Sequence, residues 1–165
     1  MMVAWDLGMD PTSSTIRHSW IWEQGGGYFG VPLTNYLGWF FTVYVFFQLF
    51  ALSLRFRKAS REGEEPTLPR SYYAQAIVMY AVIGLVIVVN YLVGSTNTAV
   101  TDAVGVVWQT RSIAEAEATV TIFTMLFAAA LAAVKVLQAS AAVASTPVET
   151  EGGETAFQEC PPVRT

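Results

Sequence analysis

Three long runs of apolar residues dominate the chain. Residues Thr34 to Leu54 and Tyr72 to Val93 contain no charged side chain, and Ala118 to Ala144 contains only Lys135. Because about 20 apolar residues suffice to cross the hydrocarbon of a bilayer, each run predicts a membrane-spanning helix. Lipid offers no partner to a free backbone amide, so each run must be helical. We therefore expect an all-α, polytopic membrane protein with three transmembrane helices over residues 34–144.

The charged residues predict how these helices are oriented. Five of the nine basic residues lie between the first two runs, namely Arg55, Arg57, Lys58, Arg61 and Arg70. Because short basic loops stay in the cytoplasm, Arg55 to Ser71 should be inside, whereas residues 1–33 and the loop Gly94 to Glu117 should lie outside. The acidic tail at residues 145–165 contains glycine and proline, and we expect it to be disordered.

Composition narrows the class of protein. The chain is 53% hydrophobic and 13% charged, against roughly 25% charged residues in a soluble domain. Its net charge of −4 leaves no basic surface to neutralise phosphates, which argues against a nucleic-acid partner. The expected partner is the lipid bilayer, and the expected location is the cell membrane.

The aromatic-rich segment at residues 1–33 carries most of the candidate chemistry. Asp6 and Asp10 are four residues apart, so on a helix they would share one face. Two close carboxylates cannot both ionise easily, and partial desolvation would raise a pKa further. One of them could then act as a general acid near neutral pH. The alternative is that Asp10, which precedes Pro11, serves a turn, and Pro11 is expected to end any helix that begins at Met1.

Two further polar residues are candidates for catalysis, and six others for substrate binding. Glu23 and the lone histidine, His18, join the two aspartates, but no spacing among these four is diagnostic of a metal site, so no metal is expected. The candidate binding residues are Trp5, Trp20, Trp22, Tyr28, Asn35 and Trp39. The tryptophans suit an interfacial belt, or alternatively a wall against a polyene or a carbocation. Asn35 could line a polar pocket or simply begin a helix.

Together these residues resemble a known family. The runs Trp5 to Pro11, Trp20 to Glu23 and Gly27 to Trp39 resemble the carotenoid biosynthesis membrane proteins, the family of carotenoid 1,2-hydratases and bisanhydrobacterioruberin hydratases. The two helices that follow resemble the family in character only. Family members are longer and have several membrane helices before this block, so we expect missing helices to be supplied in cis or in trans.

The resemblance implies addition of water to the terminal double bond of an acyclic carotenoid, giving a tertiary alcohol without a cofactor. It implies Asp6 or Asp10 as the acid, the tryptophans as the shield of a cation, and Glu23 or His18 as the group that positions water. Two other classes stay open from the sequence: a non-catalytic membrane subunit or pigment-binding fragment, and a piece of a transporter.

Overall fold

The computed structural model describes residues 1–59, 68–94 and 96–144. Within these ranges the chain is a helical membrane protein, and its strands are confined to a short antiparallel hairpin. The elements in chain order are α1 (Met2–Pro11), α2 (Leu33–Ala59), α3 (Arg70–Val93), β1 (Ala99–Thr101), β2 (Val107–Gln109), α4 (Thr110–Thr121) and α5 (Phe127–Ala144).

Among the described residues, three helical stretches are long and apolar enough to cross a membrane, as predicted. They are Leu33–Phe56, Arg70–Val93 and Thr110–Gln138. The third begins eight residues before the predicted Ala118, because α4 continues through a π-helical turn at Ile122–Leu126 into α5. The region predicted as an outer loop therefore ends in two turns of helix. The predicted disordered tail at residues 145–165 lies outside the described residues, as does Arg61 of the basic loop.

The expectation that Pro11 ends the first helix is wrong. The helix runs through Pro11 and continues as a π-helical turn over Thr12–Ile16. Proline cannot donate to the carbonyl four residues before it, so the Leu7 carbonyl lacks its usual partner. The Tyr28 hydroxyl donates to that carbonyl instead, at 3.1 Å. A side chain from the following loop thus supplies the hydrogen bond that Pro11 removes.

Helix α1 lies in a groove of the membrane-spanning helices rather than projecting from them. It packs on α4 and α2 and touches α3, while α3 packs on α4 and α5. Gly8 permits the closest approach, because a Cβ atom there would lie 2.5 Å from the Thr121 hydroxyl of α4. Gly84 of α3 meets the same threonine and Leu126. Small residues therefore set the distances between α1, α3 and α4, as they commonly do between membrane helices.

The β1–β2 hairpin covers the loop that leads from α1 to α2. Asp102 closes its turn by accepting hydrogen bonds from the Val104 and Val106 amides and from the Trp108 indole. Trp108 packs edge-on against Phe29, with ring centroids 5.2 Å apart. These strands are three residues each and were not predicted from the sequence.

Candidate active site

Helix α1 places its two aspartates side by side in the interior. Asp6 and Asp10 are one helical turn apart and are 7% and 4% exposed. Asp10 accepts a hydrogen bond from the Asn35 amide at the start of α2, with 2.6 Å between Nδ2 and Oδ2. The Oδ2 atom of Asp6 is buried and has no hydrogen-bond partner among the described residues. The helical spacing inferred from the sequence is therefore present, and it produces an asymmetric carboxyl pair.

Burial perturbs both carboxyl groups. It raises the pKa of Asp6 above its ordinary value. Burial, together with the neighbouring charge of Asp6, raises the pKa of Asp10 to about 6, against the opposing effect of the Asn35 hydrogen bond. Close carboxyl groups that share a buried site titrate as a unit and hold one proton over a wide pH range. The pair can therefore carry a transferable proton near neutral pH.

The Asn35 amide distinguishes the two carboxyl groups of the pair. It donates to Oδ2 of Asp10 and stabilises the ionised form of that group, in opposition to burial. The unpartnered Oδ2 of Asp6 faces no such donor among the described residues. The two carboxyl groups are therefore not equivalent.

Both aspartates line a cavity of about 480 Å³ whose walls include four tryptophans. Its lining comprises Met2, Trp5, Asp6, Met9, Asp10, Trp20, Ile21, Trp22, Asn35 and Trp39. Four of the five tryptophans in the chain are in this set. A volume of this size is in the range of small-ligand sites, which are typically apolar with a few polar groups.

A groove along α2 adjoins the cavity. A second space of about 400 Å³ shares Trp22, Asn35 and Trp39 with the first and extends past Gly38 to Thr42. Gly38 opens this groove, because an added Cβ atom would meet nothing within 4 Å. The two spaces together therefore extend from the aspartates along the first turns of a membrane-spanning helix.

The structure separates the residues predicted for this site into two groups. Trp5, Trp20, Trp22, Asn35 and Trp39 line the cavity with the two aspartates. Tyr28 lies behind α1 as the partner of the Leu7 carbonyl. Glu23 is exposed and is not among the lining residues. His18 is exposed too and borders a separate space of about 20 Å³ beside Asp102.

Glu117, a buried carboxyl group on α4, was not predicted from the sequence. Its two oxygens accept hydrogen bonds from the amide and the hydroxyl of Thr12, each at 2.7 Å. Glu117 is 5% exposed and fixes the turn that follows Pro11. It also borders a cavity of about 470 Å³ on the other side of α1. Its position next to the third apolar run could have indicated it, because an acidic residue at the border of a membrane helix is a candidate for function. Glu117 was instead predicted to end the outer loop.

Tyr36, on α2, was also missed as part of the site. Its ring is 6% exposed, and its hydroxyl has no hydrogen-bond partner among the described residues. It packs edge-on against Tyr28, with ring centroids 6.0 Å apart. Both aspartates lie within electrostatic range of it. The buried polar cluster therefore extends behind the carboxyl pair, away from the tryptophan cavity.

Comparison with protein families identifies the class of protein. A model of the carotenoid biosynthesis proteins matches residues 1–107, which is more than half of the chain. The chain belongs to the carotenoid biosynthesis protein family. Searches of curated proteins and of solved structures returned no match.

The residues matched by the family model include the residues that line the candidate site. In this carotenoid biosynthesis protein the matched residues contain α1, the tryptophans of the cavity and the groove along α2. They end before Glu117, so the family match does not include the carboxyl group that holds Thr12. The protein therefore has a role in carotenoid biosynthesis, and its membrane helices place it where such apolar molecules dissolve.

Proposed function

We propose that the protein hydrates the terminal double bond of an acyclic carotenoid end group and forms a tertiary alcohol. One observation carries this proposal: a buried carboxyl pair borders a cavity lined by tryptophans, and a groove along a membrane-spanning helix adjoins that cavity. The cavity would hold the end group, and the groove would hold the polyene. A carotenoid is long and apolar, so this shape and lining suit it.

The proposed reaction begins with proton transfer from Asp6. The acid gives its proton to C2 of the terminal C1=C2 bond, and the positive charge develops on the tertiary carbon C1. Trp5, Trp20 and Trp39 line the same cavity and offer π faces to a cation. Because the cavity is largely apolar, few nucleophiles other than the reacting water would reach that cation.

A water molecule then adds to C1, and the proton that it releases goes to Asp10. The buried Nε1 atom of Trp22 has no partner among the described residues, so it can donate a hydrogen bond to this water. Buried waters need two to four polar partners, and Asp10 with Trp22 would supply them. Transfer of the proton from Asp10 to Asp6 restores the pair. The sum of the steps is alkene plus water to alcohol.

The test measures hydration in a bacterial host that accumulates an acyclic carotenoid. The chain is expressed alone, and also with the additional N-terminal membrane helices of a longer family member fused ahead of it. We expect a product heavier by one water in at least one of these backgrounds, and the extended form is expected to be the more active because further helices would cover the cavity. Unchanged carotenoid in both backgrounds would refute the proposed reaction.

In whichever of these two forms hydrates the carotenoid, substitutions test the role of each carboxyl group. Asp6→Asn keeps the side-chain volume but cannot donate an acidic proton, so hydration should fall by at least a hundredfold. Glu115→Gln on α4 is the matched control, because it makes the same chemical change at an exposed position. Full activity in Asp6→Asn would transfer the role of acid to Asp10. A non-catalytic pigment-binding protein would instead retain bound carotenoid without forming alcohol in any variant.

A further inference from the structure

The cavity of about 470 Å³ that Glu117 borders has an apolar half and a polar half. It lies between α1 and α3, with α4 behind it. Its α3 lining follows one face of that helix, first apolar and then polar toward the helix end: Val82, Ile83, Val86, Ile87, Asn90 and Tyr91. One face of a membrane-spanning helix therefore changes from hydrocarbon to polar groups within about three turns.

Arg17 lies at the polar end of this cavity. Helix α1 runs alongside α3 in the same direction, because the Met1 carbonyl accepts a hydrogen bond from the Tyr80 hydroxyl and Gly8 lies against Ile87. Arg17 comes after Gly8 along the chain, lines the same cavity and is exposed. Its guanidinium group forms no hydrogen bond with the residues that the structure describes. It is therefore a cation available to a ligand.

The other charged groups near this end leave it positive. The guanidinium group of Arg111 lies 5.0 Å from the ring centroid of Tyr91 and donates to the Gly94 carbonyl at the end of α3. Glu117 is within electrostatic range of Arg17, but both of its oxygens accept hydrogen bonds from Thr12. The acidic residue in the lining is therefore already engaged, and the arginines are placed to receive an anion.

We propose that this cavity binds one anionic phospholipid of the surrounding bilayer, with an acyl chain along the apolar half and the phosphate at Arg17. Val82 and Val86 are 51% and 53% exposed on a membrane-spanning helix, so lipid hydrocarbon reaches this face directly. A guanidinium group binds phosphate oxygens through charge-assisted hydrogen bonds, and the Asn90 amide can donate another. Tyr91 suits the level of the headgroups, where tyrosines are enriched. A neutral carotenoid alcohol would leave the guanidinium group without an anion, which favours the phospholipid.

Native mass spectrometry of the purified full chain in a neutral detergent measures this binding. The protein is titrated with phosphatidylglycerol or with phosphatidylcholine of the same acyl chains. We expect one phosphatidylglycerol per chain to bind about tenfold more tightly than phosphatidylcholine, whose own cation competes for the phosphate. Glycerol 3-phosphate carries the anion without acyl chains, so it should bind more weakly than phosphatidylglycerol by on the order of tenfold or more. Bound phosphatidylglycerol should also raise Tm, because it binds the folded state.

Two pairs of variants locate the site. Arg17→Gln should abolish the preference for phosphatidylglycerol, whereas Lys135→Gln removes one positive charge from an exposed position of α5 and should retain it. Val86→Trp fills the apolar half and should weaken phosphatidylglycerol binding by about tenfold. Val89→Trp makes the same change at an exposed valine of α3 outside the lining and should leave binding unchanged.

Several outcomes would overturn this assignment. Equal affinity for the two phospholipids, or a preference that persists in Arg17→Gln, would show that Arg17 does not bind the headgroup. Binding of glycerol 3-phosphate as tight as that of phosphatidylglycerol would indicate an anion site without a lipid chain. Unchanged phosphatidylglycerol binding in Val86→Trp would exclude the α3 face as the site of the chain. Carotenoid hydration has no part in these measurements, so failure of the proposed reaction would leave their results intact.

Discussion

The close contact of α1 with α4 predicts that one added methyl group at Gly8 displaces the helix that carries both aspartates. In Gly8→Ala the new Cβ would lie 2.5 Å from the Thr121 hydroxyl and 3.3 Å from the end of the Ile87 side chain. The Ile87 terminus can move, but Thr121 is fully buried on a packed helix. Overpacking of this kind costs about 1–3 kcal/mol, and we expect that loss in the free energy of unfolding.

The same displacement should affect the site more than the stability. A shift of about 1 Å in a catalytic group can cost on the order of a hundredfold in rate. Gly8→Ala should therefore lower hydration strongly while α2 and α3 remain in place. Unfolding of the purified protein in detergent, followed by tryptophan fluorescence, gives the stability. Product formation in the carotenoid-producing host gives the rate.

A second substitution tests whether the clash with Thr121 is the cause. Thr121→Ala removes the hydroxyl oxygen, which has no hydrogen-bond partner among the described residues, and so should itself cost little. In the double variant the alanine at position 8 gains room, and stability and rate should return toward the unsubstituted protein. Gly27→Ala is the control, because its Cβ would meet nothing within 4 Å. Additive losses in the double variant would refute the explanation.

Three further predictions follow from the site. Glu117→Ala should lower the free energy of unfolding by about 1–3 kcal/mol in the same denaturation assay, because the Thr12 amide and hydroxyl lose their acceptors, whereas exposed Glu115→Ala should not. The pKa of Asp10 is about 6 in the folded protein against 3.8 ordinarily, so the folded state holds the proton more tightly. The free energy of unfolding should then fall as pH rises from about 4 to about 6. The same dependence of the free energy of unfolding on pH in Asp10→Asn would contradict this prediction. Gly38→Leu should fill the groove along α2, so it should block hydration of a long polyene but not of a short acyclic alkene with the same end group. Equal loss of activity on the two substrates would argue against the groove as the binding site of the polyene.

The parts of the structure that follow local sequence rules could be predicted from the sequence. The three spans depend on long apolar runs, and the shared face of Asp6 and Asp10 depends on helical spacing. Pro11 shows where such rules fail, because its effect on the helix is cancelled by Tyr28, seventeen residues further along the chain. The engaged Glu117 and the unpartnered Tyr36 hydroxyl are likewise set by contacts between distant segments. No periodicity in the sequence encodes such partners.

Different segments of the chain supply the residues proposed to act on the carotenoid and residues that hold α1 in place. The side chains proposed to act on the carotenoid belong to α1, the tryptophan-containing loop and the start of α2, all within the family match. Two of the groups that hold α1 in place belong to α4: Thr121 sets the distance at Gly8, and Glu117 holds the turn at Thr12. Both lie beyond residue 107, where the match ends. Because α4 supplies no lining residue to the tryptophan cavity, substitutions there act through the placement of α1. Their effect should appear in rate and stability together, whereas changes to the tryptophan walls should alter the rate alone.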